Sequence, residues 1–196
     1  TTLFRSGMGH TIHALRRNMN MTYIVMDNQI YGLTKGQTSP SSAKGFVTKS
    51  TPKGNIEKNV APLELALSSG ATFVAQGFSS DIKALTKMIE DAIHHDGFSF
   101  VNVFSPCVTY NKVNTYDWFK EHLTSIDDIE GYDITDKQLA MKTVLDHESL
   151  VKGIVYQDTT TPSYESQISE LEHEALAKRD IHITEETFND LTAQFL

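Results

Sequence analysis

The sequence is poor in cysteine. A single thiol, Cys107, stands among 196 residues, which excludes an internal disulfide. Long apolar runs are also missing, and no stretch nears the length of a membrane span. No secretory signal pattern opens the chain, so a soluble, cytoplasmic protein is the expectation. Acidic residues are scarce at one end. Residues 1–60 hold eight Lys/Arg against two Asp/Glu, whereas residues 61–196 hold nine against twenty-three. A basic first third suits anionic ligands such as phosphates and carboxylates. Aromatic and basic residues are not interleaved along one stripe, which argues against nucleic acid as a partner. Repeats and low-complexity tracts are absent from the sequence. What remains is an ordinary globular composition, 39% hydrophobic and 21% charged. It is enough for a packed core in one domain, or in a domain with an appended element.

The pattern along the chain alternates between two periods. Residues 8–18 read as a short helix, with Met8, Ile12 and Leu15 at helical spacing and Arg16 and Arg17 in the last turn. The apolar run MTYIVM (21–26) reads as buried, and the first strand is placed at 22–27. Residues 28–60 form a long polar stretch, of the kind that is functional or mobile inside a compact domain. A helix over 61–69 has Pro62 in its first turn and Gly70 as its stop. Strands follow at 72–78 and 99–104, separated by an amphipathic helix at 81–95 with Ile82, Leu85, Met88, Ile89 and Ile93 on its apolar stripe. This order predicts βαβ units and a parallel sheet. Later segments read as helices at 115–124, 135–146, 163–178 and 184–195, with a short strand at 153–157.

In parallel α/β sheets, ligands bind beyond the carboxyl ends of the strands. Two marked segments fall there: DNQIYGLTKGQ after the first strand and SPCVTYN after the third. In the first, the Asn28 amide oxygen and the Ile30 carbonyl are hard oxygen donors of the kind that Mg²⁺ accepts. The plainer alternative is that Asp27 and Asn28 start a turn. Lys35, in a Gly-containing loop, suits a carboxylate or phosphate, although a single lysine is more often simply solvated. Cys107 reads first as a buried core thiol, with a nucleophile or one ligand of a shared site as the alternatives. His10 and His13 lie three apart on a helix and could neighbour a metal, but hydrogen bonding is the commoner role. His94 and His95 end a helix, where they suit its dipole.

Taken together, GHTIHALRRNMN, DNQIYGLTKGQTSPSS, APLELALSSGATFVAQGF and FSPCVTYN resemble the β subunit of 2-oxoacid:ferredoxin oxidoreductases, in particular the 2-oxoglutarate type. The resemblance covers residues 7 to about 157. It implies an α/β fold: a partial, doubly wound parallel sheet from the C-terminal part of a thiamine diphosphate-binding domain (7–111), followed by a helical extension, the C-terminal region of the β subunit (112–196). It implies Mg²⁺ held by the Asn28 side chain and the Ile30 carbonyl, with Gly32, Leu33 and Thr34 approaching the cofactor. Lys35 stands where pyruvate-type enzymes commonly have Gly, and a lysine there is implied to meet the 2-oxoacid. Cys107 becomes the last of four thiolates on a [4Fe–4S] cluster. The implied reaction is oxidative decarboxylation of a 2-oxoacid, 2-oxoglutarate above others, to an acyl-CoA, with electrons passing through the cluster to ferredoxin. An α subunit is implied to complete the active site and contribute to coenzyme A binding. No side chain is implied as a catalytic nucleophile.

The family carries Gly-Asp-Gly-Asp just before the GHTIHA helix, with the first Asp on the metal, and three further cysteines near its N-terminus. Counted back from Gly7, that Asp falls immediately before Thr1. TTLFRS instead matches one translation frame of the end of a widely used sequencing adapter. Residues 1–6 are therefore expected to be a non-native start on a truncated chain, which alone would be inactive. Two rival readings remain. One is a thiamine-dependent decarboxylase or synthase without iron–sulfur chemistry. The other is a non-catalytic interaction module whose acidic segment, including Glu170, Glu172 and Glu174, docks a partner.

Overall fold

The computed structural model describes residues 7–169, 176–178, 180, 182–193 and 195. It divides into two compact units, one running through Tyr164 and one from Glu165 onward. In the first unit, helix α1 (Met8–Arg17) leads to strand β1 (Met21–Asp27). A long loop then leads to α2 (Pro62–Ser69), β2 (Phe73–Phe78), α3 (Ile82–His94) and β3 (Phe98–Phe104). Helix α4 (Tyr116–His122), the two-residue β4 (Thr124–Ser125), α5 (Lys137–Asp146) and β5 (Val151–Gln157) follow. The predicted elements through 157 are all present, with ends displaced by a residue or two.

The five strands form one sheet in the order β1-β3-β2-β5-β4. β1, β3 and β2 are parallel, and β5 runs antiparallel to β2. β4, which follows β3 through α4, runs parallel to β5, so the last two strands share the reversed direction. Side-chain alternation divides the core between the two faces. Val74, Phe98 and Phe100 pack with Leu15, Leu63 and Leu67 of α1 and α2. Phe73, Ala75, Val101 and Val103 pack with Met88 and Ala92 of α3. Helices thus cover both faces, as the doubly wound reading requires. Every residue of β2 and β3 is buried. Each large side chain removed from water there contributes roughly 1.5–3 kcal/mol.

Two expectations are corrected. MTYIVM is not a fully buried strand: β1 is at the sheet edge, and Met26 is 62% exposed. An unbroken apolar run reads alike in either setting, because burial is decided by neighbours the run does not encode. The helix expected over 163–178 is also not found in its described part, where Glu165–Gln167 and Leu176–Lys178 each make a 3₁₀ turn. Residues 170–175 and residues 1–6 lie outside the described residues, and with them Glu170, Glu172 and Glu174 and the expected non-native start. In the second unit, α6 (Glu185–Ala193) lies within the expected final helix. No helix among the described residues is long and apolar enough to cross a membrane.

Candidate functional site

β1 and β3 are adjacent and parallel, with Asp27 opposite Phe104 at their carboxyl ends. The loops that leave them are therefore side by side, and the Ser105 amide donates to the Asp27 carbonyl at 2.9 Å. The sequence expectation that both marked segments share one sheet edge holds.

The first loop begins with two overlapping side-chain turns. Asp27 Oδ1 accepts the Gln29 amide at 3.0 Å, and Asn28 Oδ1 accepts the Ile30 amide at 3.2 Å. Consecutive Asp and Asn favour this, because each short side chain replaces a backbone partner two residues on. Gln29 accordingly takes φ 56°. A second, tighter turn follows. The Tyr31 amide donates to the Gln37 carbonyl and the Gly36 amide to the Tyr31 carbonyl, both at 2.9 Å, and the Lys35 amide donates to the Gly32 carbonyl at 3.1 Å. The Thr34 hydroxyl closes it by donating to the Gln37 side chain. Lys35 adopts φ 73°, a left-handed conformation that costs an L-residue roughly 1–2 kcal/mol. Its side chain and those of Leu33 and Thr34 are exposed, and Leu33 is 99% so. Ile30 is the reverse and is buried, 1% exposed.

Serines arriving from residues 39–42 hold this loop from below. Ser41 Oγ donates to Asp27 Oδ1 at 2.7 Å, and Ser42 Oγ donates to the Gln29 carbonyl at 2.6 Å. Burial pushes the Asp27 carboxyl above its ordinary range, against the hydrogen bonds from Ser41 and Gln29 that pull it down. Asn55 Nδ2 reaches the carbonyls of Ser42, Ala43 and Glu57 at 3.2–3.3 Å. The long polar stretch is thus an ordered, hydrogen-bonded loop. None of these supporting residues was singled out from sequence. The only signal was the density of serines, which any solvated loop also shows.

The second loop brings in Cys107. A side chain added at Gly32 would lie 3.4 Å from Cys107 Sγ and 3.8 Å from Asn28 Nδ2, so these three residues converge. One at Gly36 would meet the Tyr110 ring at 3.1 Å. Cys107 is partly exposed rather than a core thiol. Burial pushes its thiol up, but the backbone N–H groups of Tyr110, Thr109 and Asn111 and the charge of Lys112 outweigh that and hold it below its ordinary value. Convergent amides of this kind suit an anionic sulfur. Asn111 Oδ1 accepts the Val113 and Asn114 amides, while its buried Nδ2 has no acceptor among the described residues.

The donors present can be matched to the expected groups. Asn28 Oδ1 keeps a free lone pair, and with the Ile30 carbonyl it offers two neutral oxygens, which suit a hard cation that brings anionic ligands of its own. Cys107 suits one corner of an iron–sulfur cluster. No three His, Cys, Asp or Glu side chains converge among the described residues, so both groups need ligands beyond these.

The histidines are placed elsewhere. His10 and His13 are exposed on α1. His94 contacts the Glu90 carbonyl through Nδ1 at 2.8 Å. His95 is buried at the amino end of the sheet, its Nε2 2.7 Å from Thr72 Oγ1, and burial lowers its pKa.

Comparisons with known proteins identify the family. Residues 2–103 match the family model of the thiamine pyrophosphate enzyme C-terminal TPP-binding domain. Residues 107–173 match the model of the C terminal of the pyruvate ferredoxin oxidoreductase β subunit. A 2-oxoacid:ferredoxin oxidoreductase β subunit from a Sulfolobus species is 40% identical over 172 residues, 83% of this chain and 56% of the relative. A 2-oxoglutarate oxidoreductase subunit of Mycobacterium tuberculosis is 47% identical over 105 residues, 54% of this chain and 28% of that one. The structure of a 2-oxoglutarate:ferredoxin oxidoreductase from Magnetococcus marinus, with 2-oxoglutarate, coenzyme A and succinyl-CoA bound, superposes with a TM-score of 0.83 at 34% identity. It covers 96% of this chain and 63% of that one. The chain spans a little over half the length of the curated relatives that it matches over most of its own sequence, at 56% and 57%. The chain belongs to the thiamine pyrophosphate enzymes, and within them to the β subunits of the 2-oxoacid:ferredoxin oxidoreductases.

Proposed function

We propose that this chain is the cofactor-binding and cluster-proximal part of a β subunit that, with an α subunit, oxidatively decarboxylates 2-oxoglutarate to succinyl-CoA and passes the electrons to ferredoxin in the cytoplasm. Residues 7–111 are the C-terminal part of its thiamine diphosphate domain and 112–196 its C-terminal region. The observation that carries the reading is the convergence of Asn28, Gly32 and Cys107 at the carboxyl ends of two adjacent parallel strands.

Asn28 and the Ile30 carbonyl hold Mg²⁺ against the cofactor diphosphate. Gly32, Leu33 and Thr34 form the wall beside the cofactor, and a side chain at Gly32 would intrude toward Cys107 Sγ. Lys35 meets the distal carboxylate of the substrate. Its strained backbone supports this, because such a conformation is retained where the side chain has a task. When bound, thiamine diphosphate supplies the carbanion chemistry. Cys107 anchors the [4Fe–4S] cluster close to the cofactor loop, and the amide nest around its sulfur favours this over a decarboxylase without iron.

The test uses a full-length β subunit that includes this sequence, assembled with its α subunit. The expected result is coenzyme A-dependent reduction of ferredoxin by 2-oxoglutarate, with iron present and lost in Cys107→Ser. An active enzyme without iron would leave the decarboxylase reading standing. No Mg²⁺-dependent binding of thiamine diphosphate would leave the interaction module.

A further inference from the structure

A cavity of about 420 Å³ opens beside the cofactor loop, lined by Ile30, Lys35, Gly36, Val47, Lys49 and Tyr110 among others. Its volume falls in the range of small-molecule sites, roughly 300–1,000 Å³. Two lysines face it, and among the described residues no carboxylate lines it. Neither lysine makes an ion pair among the described residues. Two like charges sharing one space raise the energy of the free site, and an anion between them relieves it.

The two lysines are held on separate turns that are joined from behind. Lys49 is at the tip of a turn in which the Thr51 amide donates to the Thr48 carbonyl at 3.2 Å and the Thr48 amide returns to the Thr51 carbonyl at 3.4 Å. The Thr48 and Thr51 hydroxyls are 2.8 Å apart, and Thr51 Oγ1 is 2.8 Å from Thr38 Oγ1. Thr38 follows directly on Gln37, which closes the turn carrying Lys35. This hydroxyl cluster ties the two backbones together and fixes the distance between the roots of the two side chains. Flexible lysines on independently moving loops would lose more entropy in meeting one ligand.

We propose that Lys49 is a second specificity-determining cation, which shares with Lys35 the distal carboxylate of a dicarboxylic 2-oxoacid. The inference rests on the reading of Lys35 given above and deepens it. Lys35 alone supplies one point charge. With Lys49, both carboxylate oxygens gain a charged donor, and a monocarboxylic 2-oxoacid leaves two cations facing no anion.

The experiment compares 2-oxoglutarate with 2-oxobutyrate in the assembled oxidoreductase. Lys49→Met is expected to lower the ratio of their kcat/KM values roughly 10- to 100-fold, the loss of one charged hydrogen bond. Lys49→Arg is expected to restore most of it. An unchanged ratio, an equal loss on both substrates, or a loss confined to the KM for coenzyme A overturns the proposal. Lys35→Met tests the underlying reading separately. If it collapses the ratio while Lys49→Met does not, only the Lys49 proposal fails. If it leaves the ratio unchanged, the assignment of Lys35 fails and takes the shared clamp with it.

Discussion

The two ends of the central sheet are built on opposite terms. At the amino end, polar groups are buried and matched. Asn18 Oδ1 accepts from Thr72 Oγ1 at 2.7 Å and from the Phe98 amide at 2.8 Å, its Nδ2 donates to the Pro162 carbonyl at 3.0 Å, and His95 closes on Thr72. At the carboxyl end, Gln29 and Lys35 hold left-handed backbones, Leu33 is in solvent, Asp27 is a carboxyl buried above its ordinary pKa, and Asn111 keeps an unmatched donor. One end specifies the fold with satisfied partners. The other gathers exposed and strained groups, the features from which the proposed site is argued. A buried polar residue is therefore ambiguous until its partners are counted.

Mutation can separate the two ends. The largest effect is expected from Cys107→Ser in the assembled enzyme: ferredoxin reduction falls to background while the melting temperature of the β subunit barely moves. Gly97→Ala should do the reverse. Gly97 has φ 137°, and a side chain there would be 2.6 Å from Asn18 Oδ1 and 2.7 Å from Thr72 Oγ1. A loss of about 2–4 kcal/mol is expected in denaturant unfolding, with activity per folded molecule preserved. Asp27→Asn keeps an acceptor for Ser41 and Gln29 while removing a charge that burial disfavours. Because the folded pKa is raised, Asp27 costs stability above the ordinary pKa of 3.8, so the variant should be the more stable at pH 7, read as a higher denaturation midpoint. An equal or lower midpoint would show that the charge is used. Lys35→Gly should gain roughly 0.5–1 kcal/mol by accepting the left-handed turn, and lose preference for dicarboxylic substrates. The smallest signal is in pH. The folded pKa of His95 lies below its ordinary 6.5, so its contribution is complete above that value and declines as the pH falls beneath it. Melting curves at pH 8 and pH 5.5 should differ in that sense, and less so in His95→Gln.

The sequence made the central layer legible because β2, α3 and β3 are written in strong periods, and their order constrains them to be neighbours. It also placed Asn28, Lys35 and Cys107 at the same edge, since parallel strands present their following loops together. The antiparallel β5 was less legible: GIVYQ has no direction written in it, and its partner is chosen by the path of the intervening chain. Lys49 was passed over for a different reason. A lysine between Thr48 and Ser50 in a polar loop has no local signature, and only the closure of the hydroxyl cluster turns it toward Lys35. Ser41 was missed likewise, since its bond to Asp27 joins residues 14 apart in sequence.

The Tyr110 ring lies close over Gly36, where a side chain would have to push the ring aside and also take a left-handed backbone at φ 96°, whereas position 35 carries an exposed side chain. The two neighbours thus differ in what they can tolerate over evolutionary time. Position 36 is constrained by the ring from the second loop, while position 35 can exchange glycine for a cation without any change in the path of the main chain. On the assignment proposed for Lys35, substrate preference could therefore shift at that position with the loop of Cys107 left as it is.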